Sequence, residues 1–203
     1  MFTLLSGLWK WLFQKDEFCI LIVGLDNAGK TTFLEHAKRK YAIKNYKGIP
    51  FEKIGPTVGM NVGHIHIKSE ILLLWDLGGQ EELQTLWNKY FMDCHGVIYM
   101  IDSSDAQRLE DSYKCFDTLI SDEDLVGIPM LVLANKQDKP NSITAEAVKE
   151  IFNRSSNKLG KRDCMLHEIS ALDGSGIEEG LQWMLERVKR NIFHRPPREK
   201  EIT

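Results

Sequence analysis

The chain has 203 residues, 43% of them hydrophobic and 27% charged, which suits one ordinary folded domain with a substantial core. Its 26 basic and 29 acidic residues leave a formal charge of -3, which excludes a globally basic nucleic-acid binder and gives no reason to invoke nucleic acid as a partner. Cys19, Cys94, Cys115 and Cys164 form no close metal-ligand pair and read as buried thiols in a reducing compartment. No apolar stretch reaches the roughly 18 residues of a membrane span.

At the start of the chain, Phe2, Leu4, Leu5, Leu8, Trp9, Leu12 and Phe13 fall mainly on one helical side, widened by Trp11. The expectation is an amphipathic helix over 1–16 that either lies at a membrane interface or packs against the domain. The segment lacks the charged leader and cleavage site of a signal peptide, and the opening Met-Phe lacks the glycine required for myristoylation.

Phe18 to Val23 read as a strand, followed by Gly24-Leu25-Asp26-Asn27-Ala28-Gly29-Lys30-Thr31 and a helix over Thr31 to Tyr41. This is a Walker A phosphate loop in its strand-to-helix setting. Its glycines let backbone N–H groups wrap a polyphosphate at the helix N-terminus, Lys30 can reach the β and γ oxygens, and the Thr31 hydroxyl can hold Mg²⁺, with Thr32 beside it. Taken alone, the string could also be a glycine turn.

Asn45 to Pro56 reads as a pliable Gly/Pro-containing loop leading to Thr57, whose hydroxyl and N–H suit Mg²⁺ and a γ-phosphate. Val62 to Lys68 and Ile71 to Trp75 predict an antiparallel pair about the Lys68-Ser69-Glu70 turn. The second strand runs into Asp76-Leu77-Gly78-Gly79-Gln80: Asp76 can hold Mg²⁺ through water, Gly79 can bring its N–H to the γ-phosphate, and Gln80 can orient the attacking water. A strand-ending turn is the competing reading of that string.

Strands at Gly96 to Ile101, Met130 to Ala134 and Met165 to Ile169 alternate with helices at Arg108 to Ile120, Ala145 to Phe152 and Ile177 to Ile192. Several strands are too continuously apolar to have a solvated face, so the expected fold is α/β, a doubly wound, mostly parallel sheet of six strands. Asn135-Lys136-Gln137-Asp138 ends one strand. Asp138 has the acceptors for guanine N1–H and the exocyclic amine, Asn135 can brace the surrounding loops, and the Lys136 stem can cover a ring face with its ammonium hydrated. Ser170-Ala171-Leu172 can offer an N–H to the guanine carbonyl, a weak signal by itself. The charged end after residue 193 reads as a solvated polar tail, 194–203.

With these motifs in order, residues 18–193 resemble a small GTPase of the Arf/Arl family, the likeness extending through Trp75 to Glu81 and Asn135 to Asp138. The resemblance implies P-loop GTPase topology over 17–193, GTP/GDP and Mg²⁺ as ligands, and catalysis resting on Gln80 and Lys30. Thr57 then falls in switch I and Gly78 to Gln84 in switch II, with a hairpin that shifts register between nucleotide states. It further implies a monomer served by an exchange factor, a GTPase-activating protein and effectors. An acetylated Met1, a Golgi membrane receptor and a cytoplasmic and trans-Golgi network location are also implied. The family's effector-facing aromatic trio corresponds to Met60, Trp75 and Tyr90, so one aromatic is replaced by methionine, and the Lys44 to Pro56 loop is longer than usual. A GTP-dependent binding module with negligible catalysis, and an interaction protein with a vestigial phosphate loop, stand as the alternatives to a regulatory GTPase.

Overall fold

The computed structural model describes residues 16–41 and 46–198. The expected helix over 1–16 and the last five residues of the tail therefore lie outside the described residues, apart from Asp16. Six strands, β1 (Glu17–Val23), β2 (Met60–Ile67), β3 (Glu70–Leu77), β4 (Gly96–Asp102), β5 (Met130–Asn135) and β6 (Cys164–Glu168), form one sheet in the order β2-β3-β1-β4-β5-β6. Every neighbouring pair is parallel except β2 with β3, as the sequence pattern predicts.

Four longer helices cover the sheet: α1 (Lys30–Tyr41), α2 (Leu109–Ile120), α3 (Ala145–Phe152) and α4 (Ile177–Arg190). Strand alternation divides the core between its two faces. Phe18, Ile20 and Ile22 point to the side of α1 and α4, where they meet Phe33, Leu34, Leu181 and Met184. Cys19, Leu21 and Val23 face the other way, in a cluster with Phe116 of α2 and Phe152 of α3. Burying a side chain such as Phe116, 1% exposed, contributes about 1.5–3 kcal/mol, and its ring also meets Tyr99 edge-on at 5.2 Å.

Element boundaries move by one to two residues from the sequence reading. Two short helical turns, Glu81–Gln84 and Trp87–Asp93, carry no periodic signal long enough to be predicted. The β2–β3 turn is tight, with Ile67 opposite Glu70 and Lys68 at φ 55°.

The start of the tail is anchored to the domain, although His194, Pro196 and Arg198 remain exposed. Arg198 N–H donates to the Glu17 carbonyl at 2.9 Å, and the Pro196 carbonyl bonds the buried His95 ring at 2.8 Å. The Arg195 guanidinium gathers the carbonyls of Met92 and Asp124. These carbonyls sit at turn ends and lack ladder partners, which is why a charged segment packs there. Of the cysteines, Cys19 and Cys94 are buried, Cys115 is half-buried and Cys164 is exposed, so two of the four depart from the expected burial.

Glu70, 6% exposed, pairs with Lys189 of α4. Burial raises its pKa, but the Lys189 and Ser69 bonds outweigh burial and leave it below its ordinary 4.5. The unfolded chain therefore takes up this proton first, so the stabilisation is present at neutral pH and fades as pH falls below about 4.5. Glu70→Gln should destabilise the fold at pH 7, with a difference from wild type that shrinks towards pH 3 in urea titrations.

Candidate nucleotide site

The site is assembled at the C-terminal ends of the central strands. Gly24 has φ +138° and Gly29 +91°, and a Cβ at Gly24 would overlap the Met100 carbonyl. Only glycine lets the loop pass that close to β4. Lys30 is 6% exposed, and its Nζ donates to the carbonyls of Gly24 at 3.0 Å and Leu25 at 2.7 Å, across the mouth of the loop. Burial lowers its pKa to about 8, against the pull of Asp76 and Asp26.

The register that sets Ile22 beside Asp76 brings the end of β3 to the start of α1. There Thr31 Oγ1 donates to Asp76 Oδ2 at 2.7 Å and lies 2.6 Å from Thr57 Oγ1, which is 3.3 Å from the same carboxylate oxygen. Three oxygen-bearing side chains from separate segments thus converge. Asp76 is fully buried, its Oδ1 has no hydrogen-bond partner, and burial raises its pKa even against the Thr31 bond and Lys30. A buried carboxylate oxygen without a donor, beside two hydroxyls, fits a hard, oxygen-seeking divalent cation of the Mg²⁺ type.

Gly79 packs so tightly that a Cβ would meet the Gly24 carbonyl, Lys30 Nζ and Asp26 N. Gln80 is exposed just beyond it, and both border a cleft of ≈ 330 Å³ shared with Asn27, Lys30, Thr31, Thr32 and Thr57. A larger cavity of ≈ 830 Å³ lies on the other side of Gly79 and Gln80, against α2, and includes neither Lys30 nor Thr31. The smaller cleft is therefore the one that matches the phosphate chemistry.

Asn135 ties two loops together: its Nδ2 donates to the Ala28 carbonyl at 2.7 Å and its Oδ1 accepts from Ala171 N–H at 2.8 Å. Asp138 is exposed, with Oδ1 accepting from the buried Ser170 hydroxyl at 2.7 Å, and Leu172 stands 55% exposed beside them. The Lys136 ammonium is partly buried. It bonds Asp102 Oδ2 at 2.5 Å because β4 and β5 set Asp102 opposite Asn135, with Lys136 held at φ 67°.

Four contributors escaped the sequence reading. Arg108 Nη2 donates to Asp26 Oδ1 at 2.5 Å, Asp102 holds Lys136, Gln84 Nε2 donates to the Gly79 carbonyl at 2.9 Å, and Trp87 Nε1 to the Gly78 carbonyl at 2.9 Å. Arg108 and Asp26 are 82 positions apart, so no local spacing could join them.

The sequence profile of the ADP-ribosylation factor family matches residues 4–188. The chain belongs to the ADP-ribosylation factor (Arf) family. It is 54% identical over 203 residues to human ADP-ribosylation factor-related protein 1, covering 100% of both chains. It is 44% identical to ADP-ribosylation factor-like protein 3 of Saccharomyces cerevisiae, over 97% of this chain and 98% of the yeast protein. Among solved structures it resembles the Arl6 BBS3 small GTPase of Trypanosoma brucei with the bound nucleotide analogue GppNp. That match has a TM-score of 0.73 and 29% identity, over 86% of this chain and 98% of the other. The protein is thus an Arf-family P-loop GTPase, related to the GDP/GTP switch proteins and closely to ADP-ribosylation factor-related protein 1, and its site is consistent with GTP hydrolysis. Arf-family GTPases generically use GTP, GDP and Mg²⁺ and work with exchange factors, activating proteins and effectors.

Removing the Asn135 amide should leave both the Ala28 carbonyl and the Ala171 N–H unpaired in a buried site. Asn135→Ala is expected to cost about 1–3 kcal/mol for each group so stranded, measured by guanidinium unfolding, and to speed nucleotide loss in stopped-flow release.

Proposed function

We propose that the protein is a GDP/GTP switch that slowly hydrolyses GTP and recruits effectors in Golgi membrane traffic. The convergence of Thr31, Thr57 and Asp76 carries this reading, because it joins the phosphate loop, switch I and the end of β3 around one cation-sized set of oxygens. Thr31 and Thr57 would hold Mg²⁺ through their hydroxyls and Asp76 through water. The bound ion supplies positive charge to the β and γ oxygens as they gain negative charge.

Lys30 leaves the Gly24 and Leu25 carbonyls for the phosphate oxygens, so its ammonium is already at the mouth of the loop and already desolvated. The backbone of Asp26 to Thr32 donates to the phosphates, and the Gly79 N–H donates to the terminal one. Gln80 orients the attacking water through its amide, which serves as both donor and acceptor without a proton to transfer. Arg108, the arginine bonded to the phosphate loop, is engaged by Asp26. Intrinsic turnover is accordingly slow, and an activating protein supplies or organises the remaining charge stabilisation.

At the base end, Asp138 receives guanine N1–H and the exocyclic amine, the Ser170 to Leu172 loop offers N–H groups to its carbonyl, and Lys136 covers the ring with its ammonium fixed by Asp102. Residues 17–193 form the switch domain. The amphipathic 1–16 segment makes peripheral membrane contact and a Golgi receptor holds an acetylated Met1, with the protein otherwise a cytoplasmic monomer that gathers at the trans-Golgi network. Its 54% identity to human ADP-ribosylation factor-related protein 1 supports this assignment. Exposed Met60, opposite Leu77 and two residues along the pair from Trp75, whose ring lies 5.7 Å from Tyr90, offers effectors a softer surface than a third aromatic would.

Single-turnover phosphate release on Mg²⁺-loaded protein, with ATP as control and with and without an activating protein, tests the proposal. Selective GTP binding followed by release is expected; retention of GTP under both conditions would instead mark a GTP-dependent binding module. Gln80→Leu should keep GTP affinity while lowering stimulated release at least about 10²-fold. Asp138→Asn should favour xanthosine triphosphate over GTP in competition binding, and an unchanged preference would remove Asp138 from base recognition.

A further inference from the structure

Glu35 is a fully buried carboxylate on α1 with no part in the phosphate chemistry. Its two oxygens accept from the Tyr46 hydroxyl at 2.9 and 2.7 Å, and Oε2 also accepts from Ile49 N–H at 3.1 Å. Lys38 of the same helix donates to Oε1 at 2.8 Å. Burial pushes the Glu35 carboxyl up, yet the Lys38, Tyr46 and Ile49 bonds outweigh it and hold its pKa below the ordinary value. The group is charged at neutral pH and saturated with donors.

The next turn of α1 repeats the grip. Arg39 Nη2 donates to the Ile49 carbonyl at 2.5 Å, and its guanidinium carbon lies 4.0 Å over the Phe51 ring. His36 lies parallel to the Phe51 ring, with ring centroids 6.0 Å apart and an 8° interplanar angle. Tyr46 to Phe51 is therefore clasped to the helix that begins with Lys30 and Thr31, although the loop reads as pliable in sequence.

A few residues later the chain reaches Thr57, and just beyond it the Gly59 carbonyl accepts from Gly78 N–H at 3.0 Å, where β2 begins. Thr57 thus sits on a short span between two fixed points. If the upstream point is released, the tether runs back to the end of α1, and more chain must be ordered to bring the Thr57 hydroxyl to Thr31.

We propose that Glu35, working through Tyr46 and Ile49, is a positioning residue: a latch that holds the loop before Thr57 on α1 and thereby lengthens the residence of a Mg²⁺-bound guanosine triphosphate. This rests on the reading of the cleft as a GTP and Mg²⁺ site. It assigns a use to the long loop that the phosphate motifs do not.

The test compares release of a fluorescent methylanthraniloyl derivative of GppNp from the full chain in Mg²⁺ and in EDTA. The variants are Glu35→Gln, Tyr46→Phe and the double variant; Tyr46 is 40% exposed, so its substitution should leave folding intact even if Glu35→Gln does not. Tyr46→Phe is expected to speed release about 5- to 10-fold in Mg²⁺, the loss of one charge-assisted bond discounted for exposure, and less than about twofold in EDTA, where Thr57 has no ion to hold. The double variant should release no faster than Glu35→Gln alone. Unchanged release in Mg²⁺, or equal acceleration in both conditions, would overturn the latch. Failure of the wild-type chain to retain the probe in Mg²⁺ would instead overturn the reading of the cleft on which the latch rests.

Discussion

The parallel register of β1 against β3 is the constraint on which the site depends. By setting Ile22 beside Asp76, it brings a fully buried carboxylate to the first turn of α1, where it meets Thr31. A slip of one residue would turn Phe18, Ile20 and Ile22 away from α1 and α4 and carry Asp76 out of reach. The same packing that stabilises the sheet therefore fixes the oxygens of Thr31, Thr57 and Asp76. Burying Asp76 without a donor on Oδ1 is costly, and only Oδ2 is met by the Thr31 and Thr57 hydroxyls.

Asn135 extends the constraint from the glycine loop to the loop after β6. One side chain bonds the Ala28 carbonyl and the Ala171 N–H, so the first phosphate-loop turn and the loop after β6 cannot move independently. Lys136 and Asp102 then stiffen the tips of β5 and β4. Burial and the Lys136 and Ser104 bonds act oppositely on the Asp102 carboxyl, and the bonds prevail, holding its pKa below the ordinary value. The ends of β4 and β5 are thus held by short polar contacts, while the Tyr46 to Phe51 segment is held from outside the sheet by Glu35 and Arg39.

Much of this was legible in the chain because the chemistry demands residue types at fixed local spacings. Gly24, Gly29, Lys30 and Thr31 must follow one another, Asp76 must precede Gly79 and Gln80, and Asn135 must precede Asp138. The alternation of buried runs with helical segments was equally plain in Phe18 to Val23 and Met130 to Ala134. What escaped depends on contacts between distant segments. Nothing near Arg108 marks it as the partner of Asp26, and a glutamate on α1 carries no sign that Tyr46 and Ile49 will close over it. The tail misled for the same reason: Arg195 looks solvated until Met92 and Asp124 present their carbonyls to it.

The packed tail adds a last link. Arg198 bonds the Glu17 carbonyl through its backbone and stands 5.1 Å over the Trp75 ring, with Asp93 at 3.8 Å from its guanidinium. Trp75 is one residue from Asp76, on the strand whose register defines the site. A cation over an aromatic ring contributes about 0.5–1 kcal/mol at a partly exposed position, too little to lock β3 but enough to bias it. Arg198 therefore ties the C-terminal segment to β1 through its backbone and to β3 through its side chain, on the two strands whose register sets Asp76 beside Ile22.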